Sequence, residues 1–248
     1  MIKLKTADEI NRIRDASKVL AETHMELEKM VQPGIRTEEL DRFAADYIRK
    51  KGGEPAFLNY MGYPASLCVS INEEVIHGIP GKRTLKEGDV VSMDLGVELA
   101  GYYSDMARTV VAGNVDESVQ RLVDVTKECL YRGIDQVKLK KRIHDISHAV
   151  YSHAHAHGYG VVREYCGHGV GYSQHEDPQI PNYVSRGANP RLKKGMVLAI
   201  EPMINAGGAG VTLLEDNWTV VTEDGSISAH WEHTVVVFED HAEILTEL

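Results

Sequence analysis

The stretch that decides the fold of this chain runs from Gly88 to Val111 and reads G-D-V-V-S-M-D-L-G-V-E-L-A-G-Y-Y-S-D-M-A-R-T-V-V. In its first half, apolar side chains occupy every second position, and Ser92, Asp94 and Gly96 fall between them. This period of two predicts a β-strand with two different faces. A glycine and a second β-rich run follow, so the stretch predicts a β-hairpin with its turn near residues 98–101.

The hairpin carries two aspartates, Asp94 and Asp105, whose midpoint falls between Leu99 and Ala100. We therefore expect them to lie directly opposite each other, with Cβ atoms about 4.5–5.5 Å apart. Two buried carboxylates at that separation repel, so either one of them keeps a proton or a cation lies between them. A site with two metal ions about 3.5–4 Å apart fits this spacing. A β-bulge that shifts the register, or two exposed aspartates beside a loop, are alternatives that the hairpin alone leaves open.

Composition narrows the class of protein. The 248 residues, 43% of them hydrophobic, suffice for one large domain or two fused halves. A net charge of −10 without a long run of Lys or Arg argues against a nucleic-acid partner. The first residues lack the apolar stretch of a signal peptide, and no segment approaches the roughly 18 apolar residues of a membrane span. We therefore expect a cytoplasmic protein without a membrane or nucleic-acid partner.

The apolar spacing predicts four helices and one early strand. The helices are expected over 7–31, from an N-cap at Thr37 to about Lys51, over 116–132 and over about 138–157. The early strand is expected over 68–71.

The tract S-H-A-H-A-H-G near the end of the fourth helix draws attention to metal binding. His153 and His157 stand at positions i and i+4, but the glutamate of an H-E-x-x-H motif is missing. We expect this tract to be a polar helix end. His168, between two glycines and seven residues before His175, is a better candidate for a site.

A segment of the hairpin recurs later in the chain. L-K-E-G-D-V-V-S-M-D ends at Asp94 and L-K-K-G-M-V-L-A-I-E ends at Glu201, 107 positions later (201 − 94). A carboxylate returns before a β-branched run in both places, as Asp105 and as Glu232. This internal repeat indicates two related α/β halves within a single catalytic domain, roughly 1–112 and 113–248. Four carboxylates and a histidine would then converge between the halves.

An oxygen-rich set with one nitrogen suits Mn²⁺, Fe²⁺, Co²⁺ or Zn²⁺ better than a structural thiolate zinc site does. Two such ions lower the pKa of a bridging water and polarise a carbonyl. Hydrolysis of an amide is the natural chemistry of such a set.

The chain resembles type I methionine aminopeptidases over essentially its whole length. The resemblance rests on several motifs: M-G-Y-P, S-I-N-E-E-V-I-H-G-I-P, M-D-L-G followed by Y-Y-S-D-M-A-R-T, Y-C-G-H-G-V-G followed by H-E-D-P, A-I-E-P and W-E-H-T. It implies an α+β pita-bread fold, built from two pseudo-twofold-related halves around a central antiparallel sheet. It also implies removal of an N-terminal methionine, with a preference for a small second residue.

The resemblance assigns a role to each candidate residue. It implies five ligands of two divalent ions (Co, Mn, Fe or Zn): Asp94, Asp105, His168, Glu201 and Glu232. Among these, Asp105 and Glu232 match the carboxylates that bridge both ions, and Glu201 matches the residue that shuttles a proton.

The resemblance also implies a substrate pocket. His175 would stabilise the developing oxyanion, and His77 would contact the peptide beyond the scissile bond. The side chains that match the methionine pocket are Tyr60, Tyr63, Cys68 and Trp218. Phe57, assigned to the same pocket, and Gln174 stand at two positions that often differ among relatives.

Two other functions stay open. A prolidase or aminopeptidase-P-like enzyme usually carries an additional N-terminal domain, whereas 84 residues precede Leu85 here. A peptide-binding relative without catalysis typically loses metal ligands, and all five candidates are present. Only 31 positions separate Glu201 from Glu232 (232 − 201), so the insert of type II enzymes is missing and a compact bacterial type is implied. The expected partners are peptides and nascent chains with an N-terminal methionine, with transient ribosome contact, and the expected state is a monomer.

Overall fold

The computed structural model of the chain describes residues 1–248 and contains four α-helices and one 3₁₀ turn, Tyr60–Gly62. The helices are α1 (Ala7–Met30), α2 (Thr37–Lys50), α3 (Glu117–Ile134) and α4 (Ile143–Ala156). All four predicted helices are confirmed, with two differences at their starts. Thr37 is the first residue of α2 and not its cap, because its hydroxyl is bound to the backbone of Gly81 (2.8 Å from the N–H). Helix α4 begins five residues later than predicted, where Asp145 accepts a hydrogen bond from the Arg142 N–H (2.7 Å).

The remaining regular structure consists of fifteen strands, of which the two longest have 11 residues each. In chain order they are β1 (Glu54–Pro55), β2 (Cys68–Ile71), β3 (Glu74–Ile76), β4 (Asp89–Leu99), β5 (Tyr102–Ala112), β6 (Gly160–Val161), β7 (Gly167–Gly169), β8 (Glu176–Ile180), β9 (Val197–Ile200), β10 (Met203–Asn205), β11 (Val211–Leu213), β12 (Val220–Thr222), β13 (Ser228–His230), β14 (His233–Val237) and β15 (Ala242–Ile244). Strand β2 has the bounds predicted from the sequence.

The strands pair only in antiparallel ladders. Strand β4 pairs with β1, β2 and β5, and a second sheet has the order β15-β14-β9-β7-β8. Two three-stranded sheets complete the fold, β13-β10-β6 and β11-β12-β3. Helices that cover antiparallel sheets confirm the predicted α+β class. None of the helices combines the length and the apolar composition needed to cross a bilayer.

The predicted hairpin is present as β4 and β5, but its register differs from the prediction. The connection is the two-residue turn Ala100-Gly101, and both residues have positive φ (+52° and +82°). The turn is centred one position later than the midpoint of the two aspartates. Asp94 therefore pairs with Ala107, and Asp105 pairs with Gly96. The prediction of direct opposition is wrong, but a shift of two residues keeps both aspartates on the same face.

The two faces of β4 have different neighbours. Val91, Met93, Leu95 and Val97 pack in a buried cluster with residues of α1 and α2. A second cluster joins α3 and α4 to β9 and β14.

The polar face of the hairpin meets the second sheet through hydrogen bonds. The Thr234 hydroxyl accepts from the Asp105 N–H (3.0 Å) and donates to the Asp105 carbonyl (2.8 Å). The Glu232 N–H donates to the Ala107 carbonyl (2.8 Å). These bonds fix both acidic residues where the hairpin and the second sheet meet.

Candidate active site

The five residues predicted as metal ligands come together from five separate chain segments. Their positions are Asp94 on β4, Asp105 on β5, His168 on β7, Glu201 directly after β9 and Glu232 directly before β14. All five line one cavity. The structure thus joins residues that lie up to 138 positions apart in the chain (232 − 94).

His168 lies at the centre of this group. Its Nε2 atom is 3.5 Å from Asp105 Oδ2 and 3.4 Å from Glu201 Oε1. Ligand atoms of His168, Asp105 and Glu232 all lie within 4.8 Å of one another. The Nδ1–H of His168 donates to the Gly169 carbonyl (2.9 Å), so the neutral ring presents its Nε2 lone pair to the carboxylates. A lone pair that faces carboxylate oxygens is typical of a site that binds a cation.

Burial perturbs the titration of the whole group. It raises the pKa of Asp105 to about 7, although hydrogen bonds from the Met106 N–H and from Gln174 oppose the rise. Burial and the charge of Asp105 raise the pKa values of Glu201 and Glu232 well above their ordinary range. Burial lowers the pKa of His168 to about 4, so the imidazole is neutral at pH 7.

Two oxygens in this group lack any partner. Asp94 Oδ1 and Glu232 Oε1 are buried without a hydrogen bond. Buried polar atoms in folded proteins are nearly always paired, so unpaired carboxylate oxygens beside a neutral imidazole are suited to binding a cation. The donor set is rich in oxygen with one nitrogen, and it therefore fits divalent cations such as Mn²⁺, Fe²⁺, Co²⁺ or Zn²⁺.

The raised pKa values predict that metal affinity increases with pH. Near neutral pH the carboxyl groups still hold protons, and these must leave when a cation binds. With a pKa of about 7, Asp105 alone should strengthen apparent Mn²⁺ affinity about tenfold between pH 6 and pH 8. Calorimetric titration in two buffers of different ionisation enthalpy measures both the affinity and the proton release. Affinity that stays constant over this range, without proton release, would contradict the prediction.

The cavity has a volume of about 200 Å³. Besides the five acidic and imidazole groups, it is lined by every residue assigned to substrate: Phe57, Tyr60, Tyr63, Cys68, His77, His175 and Trp218. Met61, which belongs to the M-G-Y-P motif, also lines it, together with three residues without a predicted role: Ile76, Tyr165 and Cys166. Tyr165 and Cys166 directly precede Gly167-His168 in the chain. This proximity to His168 is the feature of the sequence that could have identified them as cavity residues.

Aromatic contacts hold the substrate-side histidines in place. The His77 ring packs edge-on against Tyr165, with centroids 5.7 Å apart. His175 Nδ1 is hydrogen-bonded to the Tyr60 hydroxyl (2.8 Å), and its ring centroid lies 4.3 Å from that of His168. Burial lowers the pKa values of His77 and His175 to about 4. Both rings are therefore neutral at pH 7, and each carries one N–H donor.

Gln174 is placed against the acidic group. Its buried amide Nε2 donates to Asp105 Oδ2, and its Oε1 has no partner. A Cβ added at Gly96 would lie 2.8 Å from that Oε1 and 2.8 Å from Phe57 Cε1, so only glycine fits opposite the amide. Nothing in the sequence indicated this contact, because it joins residues 69 positions apart.

We expect Gln174→Leu to weaken the site, because Asp105 loses a hydrogen bond that favours its charged form. Metal affinity and kcat should both fall roughly 10–100-fold, the usual cost of losing a group that orients a metal ligand. Metal titration and peptide cleavage measure the two effects. Gln179→Leu, an exposed change on β8, is the matched control and should leave both values unchanged. Equal behaviour of the two variants would show that the Gln174 contact has no role.

His230 on β13 is a further neighbour that the sequence analysis missed. Its ring is buried, and neither nitrogen has a hydrogen-bond partner. Its Nε2 lies 3.8 Å from Glu201 Oε2. The backbone of His230 is fixed by the Thr109 hydroxyl, which donates to its carbonyl (2.7 Å). Imidazole nitrogens from His168 and His230 thus face the Glu201 carboxylate.

Comparison with known proteins identifies a family. The model of metallopeptidase family M24 matches residues 11–239. Methionine aminopeptidase 1 of Bacillus subtilis (strain 168) is 50% identical over 248 residues, which cover 100% of both chains. The crystal structure of methionine aminopeptidase from Thermotoga maritima is 44% identical, with a TM-score of 0.97 and 100% of both chains covered.

A prolidase from Pyrococcus furiosus is also similar, but less so. It is 25% identical with a TM-score of 0.78, and the match covers 99% of this chain and 65% of that one. The predicted pita-bread fold and the resemblance to type I methionine aminopeptidases are thereby confirmed. On its fold, its convergent acidic cavity and these matches, the chain belongs to metallopeptidase family M24.

Proposed function

We propose that this chain removes the N-terminal methionine from peptides and nascent proteins and prefers a small second residue. The observation that carries the proposal is the convergence of five carboxylate and imidazole side chains in the same cavity as an aromatic pocket. Full-length relatives that are methionine aminopeptidases support the choice of substrate.

The residues that would hold two divalent ions are Asp94, Asp105, His168, Glu201 and Glu232, with Asp105 and Glu232 shared between the ions. Support comes from their proximity and from the unpaired oxygens of Asp94 and Glu232. When bound, such ions supply an acidified water and a Lewis acid for the peptide carbonyl.

Glu201 is the group that we assign to the proton. Burial and the charges of Asp105 and Asp94 raise its pKa well above the ordinary value. A carboxyl group with a raised pKa can accept a proton from the attacking water and return it to the leaving amine near neutral pH. Its Oε1 lies 3.4 Å from His168 Nε2, which keeps it beside the ligand group.

His175 would stabilise the oxyanion, and His77 would contact the peptide beyond the scissile bond. When the Tyr60 hydroxyl donates to Nδ1 of His175, the ring proton resides on Nε2 and is free to donate. Such a donor acts most strongly as charge develops in the transition state.

We expect His175→Ala to lower kcat about 10²–10³-fold with a smaller effect on KM, because the lost hydrogen bond is strongest in the transition state. Steady-state cleavage of a methionyl tripeptide measures both constants. His241→Ala, a change at the exposed histidine beside Asp240, is the control and should behave like the wild type. A change in KM alone would instead assign His175 to ground-state binding.

The apolar part of the cavity suits a methionine side chain. The rings of Tyr63 and Trp218 meet edge-on with centroids 5.1 Å apart, beside Cys68 and Phe57. The Tyr63 hydroxyl donates to the Gly78 carbonyl (2.9 Å), which fixes the ring. A flexible thioether packs favourably against aromatic edges.

The single domain is proposed to consist of two related halves, roughly 1–112 and 113–248. In support, the glycine of each repeated segment, Gly88 and Gly195, has a φ of +85° and precedes a carboxylate by six positions. We further propose a cytoplasmic monomer that meets its substrates at the ribosome. Pulldown from lysate with and without ribosomes tests that contact.

The direct test is peptide cleavage by protein that has been stripped of metal and then reconstituted. With Met-Gly-Met-Met, loss of one methionine upon addition of Mn²⁺, Fe²⁺, Co²⁺ or Zn²⁺, read by mass spectrometry, establishes the reaction. Slower cleavage of Met-Leu-Met-Met establishes the preference for a small second residue. Cleavage of an Xaa-Pro peptide in place of Met-Ala-Ser would overturn the proposal in favour of a proline-directed enzyme. Bound ions without any cleavage would leave only a binding role.

A further inference from the structure

A second cluster of metal-ligating side chains lies outside the catalytic cavity, where α3 and α4 pack together. Glu128 stands on α3, His153 on α4, and His157 directly at the end of α4. His153 Nε2 is 2.7 Å from Glu128 Oε2, and the rings of His153 and His157 have centroids 4.8 Å apart. One ligand atom from each of the three residues lies within 4.8 Å of the others.

The fold explains how these residues meet. His153 and His157 are four positions apart, so they lie on one face about a turn apart. The sequence expectation of a polar helix end rested on the missing glutamate of an H-E-x-x-H motif. In the structure the carboxylate comes from the neighbouring helix, because buried residues of α3 and α4 share one core cluster.

The cluster is partly buried and open to solvent on one side. The His153 side chain is 11% exposed, while that of Glu128 is 55% exposed and leaves access from solvent. Burial lowers the pKa of His153 and favours its neutral ring. Because Nε2–H donates to Glu128 Oε2, the lone pair that a cation can use is on Nδ1. Two imidazoles and one carboxylate form a donor set typical of Zn²⁺, with a fourth position left for water.

We propose that Glu128, His153 and His157 bind one divalent transition cation of the zinc class, which clips α3 to α4. This site is independent of the proposed peptidase function, since none of the three residues lines the catalytic cavity. A cation bound to the folded state alone stabilises the protein by mass action.

Arg121 sets the strength of this site. Its guanidinium donates to His157 Nδ1 (3.3 Å), and arginine cannot lose its proton in proteins. While that bond exists, the neutral His157 ring carries its proton on Nε2 and offers no free lone pair. The cation must therefore displace the exposed Arg121, and removal of the guanidinium should tighten binding.

The test is equilibrium dialysis of the full-length protein against Zn²⁺, with the bound metal counted per chain. The wild type should hold one more ion than His157→Gln. Binding of Zn²⁺ at the Glu128–His153–His157 cluster should weaken at least about tenfold in His157→Gln and tighten in Arg121→Gln. His155→Gln, a change at the exposed neighbouring histidine that stacks on Tyr151, is the matched control and should bind like the wild type.

Thermal unfolding gives a second readout in the Asp105→Asn background, where the catalytic site is weakened. Zn²⁺ should raise the melting temperature of this variant more than that of Asp105→Asn/His157→Gln. Cleavage by Mn²⁺-loaded His157→Gln should equal that of the wild type, which separates this site from catalysis. Equal zinc counts and equal thermal shifts with and without His157 would overturn the proposal.

Discussion

Replacement of Asp105 with asparagine should lower kcat/KM by about three orders of magnitude or more. Asp105 lies within ligand distance of His168 and Glu232, and its carboxylate is one of the two proposed to be shared by both ions. Metal ions contribute several kcal/mol of transition-state stabilisation, and each 1.36 kcal/mol corresponds to a factor of ten. An amide oxygen carries no full negative charge. The affinity of the site for a second cation should therefore fall together with the rate of peptide cleavage.

The same change should leave the metal-free fold at least as stable as the wild type. The charge of Asp105 raises the pKa values of Asp94, Glu201 and Glu232, which shows how strongly the buried carboxyl groups repel. Asparagine removes one of these charges and keeps an oxygen that can accept from the Met106 N–H, now 3.1 Å from Asp105 Oδ1. Loss of activity combined with unchanged or higher metal-free stability separates a metal-ligand role from a structural one.

Peptide cleavage, metal analysis and urea unfolding of the chelated protein measure these effects. Asp89→Asn is a matched control on the same strand. Asp89 is buried, but its carboxylate binds Asn72 (2.9 Å) and the Lys86 N–H (2.8 Å), away from the cavity. The Asp89→Asn protein should retain wild-type activity. An Asp105→Asn protein that binds two ions and cleaves at near the wild-type rate would refute the assignment of the site.

The central hairpin shows what local pattern can and cannot predict. The alternation around Asp94 predicted two faces, and apolar residues of β4 do pack on α1 and α2 while the aspartate faces the cavity. The register was not predictable in the same way, because it depends on the turn. Ala100 is not a glycine, yet it adopts a φ of +52°. Nothing in the local sequence marks Ala100 as the first residue of the turn.

The five side chains that converge on the cavity were predictable from motifs, whereas their surroundings were not. Each of the five lies in a recognisable short segment, so the resemblance could assign it a proposed role. The contacts of Gln174 with Asp105 and of His230 with Glu201 join distant segments, and only tertiary packing brings them together. The same holds for Glu128 on α3, whose carboxylate meets two histidines from the end of α4.

Replacement of Lys5 with methionine should destabilise the protein by about 3 kcal/mol, the lower end of the cost of breaking a buried ion pair. Lys5 Nζ lies 2.7 Å from Glu176 Oε2, and the two side chains are only 1% and 3% exposed. Methionine would leave the Glu176 charge buried without its cation. The cost stays at the lower end because Glu176 Oε1 still accepts from the N–H groups of Tyr172 (2.6 Å) and Ser173 (3.2 Å).

The pair also links the N-terminal segment to the loop that carries His175. Glu176 directly follows His175, and the Lys5 N–H donates to the Gly195 carbonyl (2.7 Å) before β9. Lys5→Met should therefore lower kcat as well, because the loop that positions His175 loses its anchor. Urea unfolding of the metal-loaded protein and steady-state cleavage measure the two consequences.

The double variant Lys5→Met/Glu176→Gln separates a buried charge from lost packing. Glutamine is neutral and can still accept from the Tyr172 and Ser173 N–H groups, and methionine fills the space of the lysine stem. Replacement of both members of a buried pair is often neutral, so the double variant should recover most of the stability lost in the single one. Arg12→Met, which breaks the exposed pair with Asp8, should cost less than about 1 kcal/mol. If the double variant is as unstable as Lys5→Met alone, packing around the lysine stem, and not the unpaired Glu176 charge, holds the N-terminal segment against the loop that carries His175.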